Sequence, residues 1–445
     1  MKAASLLADE DGGQEVSNKN DTLARSQIND THFLKSVTNL GDVRPVIASQ
    51  DIHSQTGVKL LNAGMRIDST LYERLLQHKL ITPIEQSLST ESSVTGSSLA
   101  EIATQMLKED ERLALIQSAH WEGQTLPQIL QRVTLNPAIA FKLTVMRETN
   151  AELFRNSVYV SLVSTYIGMQ LEMERHQLID IATAALLHDI GLLHIDPKLL
   201  ERDHKMTETE RRHLYVHSIT GWMTLSAYPE YKKKVLDGVL QHHERLDGSG
   251  YPRGLKAGEI GLIGQIIAVS EIIASRFGGQ QVEHSWARLE TILKLNLRRY
   301  GSELVSYLKV FYQKEGEPPS CSDTEKQDAQ DKMSLISRIF AAWENARDKF
   351  GSKDPIGSFI NERMMDLKIE VHDAGLNLNS QGNNLLSTED LRACFETRIL
   401  LDEALWQLRS IKREIRRRWP TIDSDESSHD SAAASAWIKE AEALL

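Results

Sequence analysis

Cysteine is scarce in this sequence, where Cys321 and Cys394 are the only two among 445 residues. Two cysteines so far apart are too few for a disulfide scaffold or a zinc ribbon, and they fit a reducing cytoplasm. No apolar run approaches the ~20 residues that span a bilayer. The acidic N-terminus, with Asp9, Glu10 and Asp11, lacks the apolar core of a secretory signal. We therefore expect a cytoplasmic protein without a membrane partner.

Positive charge is also in deficit, because 51 lysine and arginine residues face 62 aspartate and glutamate residues, for a net charge of -11. Such a balance opposes nonspecific adsorption to nucleic acid, so we expect no DNA partner. An anionic ligand would have to be held by local cations or by metal ions. The length exceeds what one hydrophobic core usually fills, which predicts two or three folded units.

The first part of the chain is expected to form a tail and a small module. Residues 1–40 are largely polar and predict a disordered tail. Residues 41–88 predict a small α+β module, in which the strand-like runs 46–48 and 58–61 pair as a hairpin and a helix begins at Ser69. No polar cluster in this module indicates a pocket, so a structural adaptor is the preferred interpretation.

Helical apolar spacing dominates the rest of the chain. A linker over residues 87–98 leads into a helical domain over residues 99–313, and further helices over residues 333–420 precede an acidic tail over residues 421–445. The fold class is therefore predicted to be mainly α. Apolar stripes in the C-terminal helices are expected to pack as a core or to self-associate into a homodimer: Ile336, Ile339, Phe340, Trp343, Leu400, Leu401, Leu405 and Leu408.

A histidine and an aspartate, His188 and Asp189, are adjacent at the end of an apolar run. Neighbouring residues on a helix are rotated by ~100°, so both side chains reach one metal centre only if the helix end points into a polar cavity. Taken alone, the pair is a weak signal. A buried hydrogen bond between the two side chains is the usual explanation for an isolated dipeptide of this kind.

The segment from His242 to Pro252 changes this balance. It reads HHERLDGSGYP and brings two imidazoles, two carboxylates and two glycines into one short stretch, far more than ordinary composition provides. Here the sequence resembles the HD-GYP phosphodiesterases, whose defining motifs are an HD pair and HHExxDGxGYP. His217, four residues before Gly221, matches the family's intervening histidine. The resemblance covers residues 154–311, about a third of the chain.

The resemblance implies an HD-superfamily helical bundle that binds two divalent metal ions and hydrolyses cyclic di-GMP to linear pGpG or GMP. Asp189 would bridge the ions and act with His188 in catalysis, and Glu271 stands where the family has a distal aspartate. Two ions ~3.5–4 Å apart suit this reaction because they activate water and neutralise phosphoryl oxygens. Imidazole and carboxylate ligands favour iron or manganese. The implied metal ligands are His188, Asp189, His217, His242, His243, Glu271 and Glu152.

The glycine-punctuated loop is the second implied part of the site. Gly248 and Gly250 would let the chain bend back over the metal ions, and Tyr251 with Pro252 would fix its exit. In this family the loop is also thought to contact diguanylate cyclase domains, which would make such domains a partner. The residues implied to contact substrate or to shape the loop are Asp247, Gly248, Gly250, Tyr251, Pro252, Arg253 and His194.

Two positions depart from the family pattern in ways that bear on activity. Asn156 stands where the family has a metal-binding histidine, and Glu152, one turn earlier, matches a carboxylate ligand of some members. Leu192 stands where the family motif HDIGK has a lysine that contacts substrate phosphate. His194 or Arg253 would have to supply the missing charge.

Two hypotheses of different classes follow. The first is a metal-dependent phosphodiesterase, which the HD pair and the complete GYP motif favour. The alternative is a degenerate domain that binds nucleotide or protein without catalysis, which Asn156 and Leu192 favour. Burying several converging polar side chains is costly unless they are paired, and a chain that no longer bound metal would have little need for them. Their retention therefore supports the first hypothesis. A nucleotide phosphohydrolase of the broader HD superfamily is disfavoured, because those enzymes lack the GYP segment.

Overall fold

Helices dominate the structure, a computed structural model that describes residues 31–201, 203–277, 285–312, 321–351, 354–376, 391–420, 422 and 432–445. The chain divides into two units, residues 1–280 and residues 281–445. The strands are short and pair only two at a time in the described residues, which confirms the mainly α fold class. None of the helices described here is long and apolar enough to cross a membrane.

The first unit begins with a small α+β module. Its elements are helix α1 (Thr31–Val43), strands β1 (Val46–Ala48), β2 (Ile52–His53) and β3 (Lys59–Leu61), helix α2 (Tyr72–Leu76) and strand β4 (Leu88–Thr90). Strands β2 and β3 form the hairpin, whereas β1 pairs antiparallel with β4. The predicted pairing of residues 46–48 with residues 58–61 is therefore wrong, because each run has a different partner that its own apolar pattern does not specify.

Two predicted boundaries around this module are also wrong. Helix α1 covers residues 31–40 of the predicted tail, because Phe33, Val37 and Leu40 recur at helical spacing and are buried. Residues 1–30 lie outside the described residues. The predicted linker over residues 87–98 contains β4 and the start of the next helix, so the module continues directly into the helical region.

The helical part of the first unit surrounds two buried helices, α6 (Ala151–Gln170) and α7 (Arg175–Leu187). Ser161 on α6 donates a hydrogen bond to the carbonyl oxygen of Ala182 on α7 (2.9 Å), and Ser164 donates to the hydroxyl of Ser270 on α11 (Leu262–Phe277; 2.9 Å). Because α7 is buried over almost its whole C-terminal half, its end delivers the following residues to the interior. The elements are α3 (Gly96–Glu109), β5 (His120–Trp121), β6 (Gln124–Thr125), α4 (Leu126–Gln131), α5 (Pro137–Thr149), α6 (Ala151–Gln170), α7 (Arg175–Leu187), α8 (Glu208–Tyr215), α9 (His217–Ser226), α10 (Lys233–Gln241) and α11 (Leu262–Phe277).

Short 3₁₀ turns connect several of these elements. The turn Ile190–His194 begins directly after the HD pair at the end of α7 and is buried along its length. The turn Ile84–Gln86 belongs to the module and precedes β4. The remaining 3₁₀ turns of the first unit are Ser69–Leu71, Leu113–Ile116 and Pro197–Leu200.

The second unit is a helical bundle with its own core. The apolar stripes predicted in the C-terminal helices lie in this core, as the first of the two alternatives expected, and the homodimer stays a prediction. The unit contains α12 (Ser285–Leu295), α13 (Leu297–Tyr300), α14 (Ser302–Tyr307), the 3₁₀ turn Leu308–Phe311, α15 (Asp323–Arg347), α16 (Pro355–Asp373), α17 (Leu391–Arg418) and α18 (Ala432–Leu444).

Three further expectations about the second unit need correction. The helical domain predicted to run to residue 313 is divided at residues 280 and 281. The predicted acidic tail over residues 421–445 contains α18, whose Trp437 and Ile438 are buried in the core. Cys321 and Cys394, too few and too far apart in the sequence to indicate a disulfide scaffold, form a single disulfide with Cα atoms 6.4 Å apart, because the folded bundle brings distant parts of the sequence together.

Candidate metal centre

Four segments of the first unit contribute side chains to one buried cluster: the end of α7, the start of α9, the end of α10 and the middle of α11. In chain order, these side chains are His188, Asp189, His217, His242, His243 and Glu271. The structure thus brings together all the predicted metal ligands except Glu152. Two of the contributing segments are helix C-termini, where the helix dipole favours a nearby positive charge.

Two groups of potential ligand atoms share Asp189. One group combines it with His217, His242 and His243, and the other with His188 and Glu271; within each group the atoms lie within 4.8 Å of one another. The carboxylate oxygens are divided between the groups. Oδ2 of Asp189 lies 3.2 Å from Nε2 of His188, whereas Oδ1 lies 3.3 Å from Nε2 of His217. A carboxylate with one oxygen in each group is suited to bridge two cations.

The backbone fixes the orientation of three imidazole rings. His188, His217 and His242 each lie 2.6–2.7 Å, through Nδ1, from the carbonyl oxygen three residues earlier. A carbonyl oxygen only accepts, so Nδ1 carries the proton in each ring. The neutral form of each ring therefore presents the lone pair of Nε2 to the cluster. Such a backbone partner is the usual means by which proteins orient a metal-ligating histidine.

Lone pairs consequently meet at close range. Nε2 of His217 lies 3.2 Å from Nε2 of His242 and 3.1 Å from Nε2 of His243. With the proton of His217 and of His242 on Nδ1, neither Nε2 atom donates to the other. A cation between these nitrogens would convert a repulsive contact into ligation, so the donor set fits a divalent metal ion.

Burial and the neighbouring charges shift the pKa values of the cluster in opposite directions. Burial opposes protonation of His188, but the carboxylate of Asp189 outweighs it and raises the pKa of His188 to about 9. Burial raises the pKa of Glu271 to about 7, against the lowering effect of His188. Burial and the positive charge of His188 hold the pKa of His242 well below its ordinary value. His242 is therefore ready to donate its lone pair at neutral pH.

Gly191 allows α9 to approach the HD pair. A Cβ atom at Gly191 would lie 2.0 Å from the carbonyl oxygen of His217 and 2.7 Å from the backbone nitrogen of Gly221. No side chain fits in that space, because the obstructing atoms are backbone. The glycine after the HD pair therefore determines how closely His217 approaches Asp189.

The GYP loop is held by a buried carboxylate. Glu244 accepts hydrogen bonds from the backbone N–H groups of Arg253 (2.7 Å) and Leu255 (2.9 Å), and it is 2% exposed. Gly250 lies so close to the start of the loop that a Cβ atom there would be 2.4 Å from the Cα atom of Glu244. The motif glutamate thus closes the loop and lies in neither of the two ligand groups.

Aromatic stacking connects this loop to the cluster. The ring of Tyr251 stacks on the imidazole of His243 with centroids 4.5 Å apart, and its backbone N–H donates to the carbonyl oxygen of His243 (3.1 Å). Tyr215, at the end of α8, also packs against the ring of Tyr251, with centroids 4.2 Å apart. Asp247 accepts from the backbone N–H of Ser249 (2.9 Å) and Gly248 has a φ of 76°, so both residues shape the turn.

The remaining predicted residues lie apart from the two ligand groups. Glu152 is exposed in the first turn of α6, and Arg253 is exposed in the loop. His194 is buried beside Lys142 and Phe33. Leu192 is 8% exposed, so the position of the family lysine is occupied by a buried apolar side chain. The substrate contacts predicted for His194 and Arg253 stay predictions.

Sequence reasoning missed two residues that shape this region. Glu244 was visible within the motif, but the order of residues alone does not separate a ligand from a loop anchor. Lys142 is a fully buried lysine on α5, and no pattern around it in the sequence distinguishes it from a surface lysine.

The comparison with protein families agrees with this geometry. Residues 133–303 match the family model described as an HD domain. This helical part of the chain is therefore similar to an HD domain, and its buried cluster could hold a metal ion. The complete motif from His242 to Pro252, on which the resemblance to the HD-GYP family rests, lies inside the matched residues.

Several curated relatives are similar to part of the chain. A cyclic di-GMP phosphodiesterase of Pseudomonas aeruginosa is 27% identical over 199 residues, 44% of this chain and 48% of the relative. The 3'3'-cGAMP-specific phosphodiesterase 1 of Vibrio cholerae is 36% identical over 106 residues, 24% of this chain and 23% of the relative. A cyclic di-GMP phosphodiesterase of Thermotoga maritima is 36% identical over 121 residues, 27% of this chain and 33% of the relative. The matches span less than half the length of each relative.

Proposed function

We propose that the HD domain of this chain is a metal-dependent phosphodiesterase that hydrolyses cyclic di-GMP to linear pGpG or GMP. One observation carries the proposal: the Nε2 lone pairs of His217 and His242 converge beside Asp189 without a hydrogen that could separate them. The relatives are phosphodiesterases of cyclic di-GMP or of 3'3'-cGAMP, which supports a cyclic dinucleotide as substrate.

The chain's own residues divide the work at this site. Asp189 would bridge two ions, with His217, His242 and His243 on one side and His188 and Glu271 on the other. When bound, a pair of iron or manganese ions supplies a water of lowered pKa and neutralises the phosphoryl oxygens. Tyr251, stacked on His243, would close the site from the loop side and limit the entry of other water molecules.

We further propose that the chain acts in the bacterial cytoplasm, where this reaction would lower the level of a second messenger. The outer part of the GYP loop is exposed at Arg253 and Lys256. This exposure supports a contact with diguanylate cyclase domains through the loop. Such a contact would bring the hydrolase close to a source of its substrate.

Product analysis of the full chain tests the proposed reaction. The protein, loaded anaerobically with Mn²⁺ or Fe²⁺, is incubated with cyclic di-GMP and, in parallel, with 3'3'-cGAMP, and the products are separated by chromatography. We expect linear dinucleotide from cyclic di-GMP, its loss in His242→Ala, and its retention in His213→Ala, because His213 is exposed on α8. Binding of nucleotide by the metal-loaded protein without any product would instead favour the non-catalytic binding module that Asn156 and Leu192 suggest.

A further inference from the structure

A buried lysine lies where the N-terminal module meets the helical part of the first unit. Lys142 on α5 is 1% exposed, and its Nζ atom lies 3.2 Å from Oε1 of Glu85 and 3.3 Å from Nε2 of His194. The same ammonium group lies 3.7 Å from the ring centroid of Phe33. Burying an ammonium group is costly unless it is paired, so these three contacts restrict the positions of Glu85, His194 and Phe33.

The partners of Lys142 come from two different parts of the unit. Phe33 lies on α1 and Glu85 on the turn Ile84–Gln86, and both belong to the module. His194 is the last residue of the buried 3₁₀ turn that begins directly after Asp189. The ring of His194 also packs against the ring of Phe33, with centroids 5.5 Å apart. One ammonium group therefore contacts both the module and the segment that follows the HD pair.

That segment is short and continuously hydrogen-bonded. The N–H group of Leu192 donates to the carbonyl oxygen of Asp189 (2.9 Å), and the N–H group of Ile195 donates to the carbonyl oxygen of Leu192 (3.1 Å). Gly191 in its middle lies against the backbone of His217 with no space for a side chain. A displacement at His194 would therefore reach the backbone of Asp189 and the start of α9.

The charge of Lys142 also determines the state of His194. An ammonium group only donates, so Nε2 of His194 accepts the hydrogen bond and the imidazole carries its proton on Nδ1. We propose that Lys142 is a positioning residue, which couples the N-terminal module to the metal centre by fixing His194 and, through it, the backbone of Asp189. This inference rests on the proposed function only in that the cluster around Asp189 binds a divalent ion.

The test uses the full chain and a variant that removes the charged pair without stranding a buried carboxylate. Lys142→Met/Glu85→Gln replaces both charges with neutral groups of similar size, which buried sites tolerate better than a single change. The matched control is Arg44→Met. Arg44 of the module pairs with Glu148 on α5 (3.0 Å), so the control loosens the same junction without touching His194.

Two readouts besides activity decide the outcome. Calorimetric titration with Mn²⁺ alone measures the metal affinity, and amide hydrogen exchange reports on the N–H groups of Leu192 and Ile195. We expect the double variant to bind Mn²⁺ on the order of tenfold more weakly, as for the loss of other groups that orient metal ligands, and to exchange these two amides faster. Arg44→Met should match the unchanged protein in both readouts.

Several results would overturn the coupling role of Lys142. If the double variant folds but its Mn²⁺ affinity and amide exchange are unchanged, Lys142 does not couple the module to the metal centre. If Arg44→Met loses as much Mn²⁺ affinity as the double variant, the effect belongs to docking of the module in general. If the double variant does not fold, His194→Leu keeps the pair of Lys142 and Glu85 and must show the same two changes. If the unchanged chain binds neither Mn²⁺ nor Fe²⁺, the proposed function fails, and the exchange comparison alone still decides the coupling.

Discussion

His217 and His242 face each other through their Nε2 atoms at a distance of 3.2 Å, while the Nδ1 atom of each ring is engaged by a backbone carbonyl oxygen. In the neutral rings, two lone pairs meet and no proton lies between them. Oδ1 of Asp189 lies 3.3 Å from the first of these nitrogens and 3.9 Å from the second. A cation at this point would satisfy all three atoms, so binding of the ion and folding of the domain should be coupled.

Divalent metal should accordingly stabilise the domain. Free Mn²⁺ at a hundred times its dissociation constant stabilises a protein that binds it only when folded by about 2.7 kcal/mol. We expect this rise in the free energy of unfolding for the unchanged chain and for His213→Ala, and its loss in His242→Ala. Urea unfolding with and without Mn²⁺ measures it. If neither Mn²⁺, Fe²⁺ nor a chelator changes the free energy of unfolding, the cluster is not a metal centre.

Metal affinity should rise with pH, because two ligands hold protons that a metal ion must displace. The pKa of His188 is raised to about 9 and that of Glu271 to about 7. Below its pKa each group is protonated and competes with the ion, so affinity falls as the pH decreases from about 9 to about 6. We expect the release of about two protons per binding event near pH 6 and about one near pH 8.

Calorimetry in buffers of different ionisation enthalpy measures this proton release. Glu271→Gln serves as the control, because it removes the group that titrates near neutral pH and should leave the release of about one proton from His188 near pH 6. Binding of Mn²⁺ without any proton release at either pH would mean that His188 and Glu271 are not ligands.

One part of the site was predictable because its potential metal ligands are consecutive in the sequence. His242 and His243 stand together, and both must lie at the same helix end wherever α10 points. The HD pair was weaker evidence by itself, since α7 could have ended at the surface. Its burial depends on the packing of α6 and α11 around α7, which is a tertiary property and does not appear in the local pattern.

Long-range pairing accounts for what the sequence could not show. Strand β1 pairs with β4 across the whole module, although a nearer apolar run was available in the sequence. Lys142 was not predicted to be buried because a lysine side chain is normally exposed. Its burial depends on contacts with Glu85 and His194, which come from distant segments of the chain. Cys321 and Cys394 likewise meet through the packing of the second unit rather than through their spacing.

Glu244 should contribute to stability rather than to metal binding. Its carboxylate accepts from the backbone N–H groups of Arg253 and Leu255, and a glutamine would turn an NH₂ group towards one of them. Hydrogen bonds to charged groups are worth ~1.5–3 kcal/mol, so Glu244→Gln should lower the free energy of unfolding by about that amount. Urea unfolding and elemental analysis are measured together. Loss of metal as complete as in His242→Ala would show instead that Glu244 is a ligand.

The contact between Gly191 and α9 makes the most direct prediction about the geometry of the centre. A methyl group at residue 191 would lie 2.0 Å from the carbonyl oxygen of His217, and since the obstacle is backbone, α9 must move away. Overpacking of this kind costs ~1–3 kcal/mol, and here it also displaces a ligand. Gly191→Ala should therefore lower both the stability of the metal-free protein and its affinity for Mn²⁺.

Gly221→Ala is the matched control, because its methyl group would meet the side chain of Val239 at 3.2 Å, a contact that small side-chain shifts can relieve. Unfolding in urea and titration with Mn²⁺ compare the two variants. If Gly191→Ala loses stability but binds Mn²⁺ as tightly as Gly221→Ala, the position of His217 does not limit metal binding, and the ion is held by the remaining ligands.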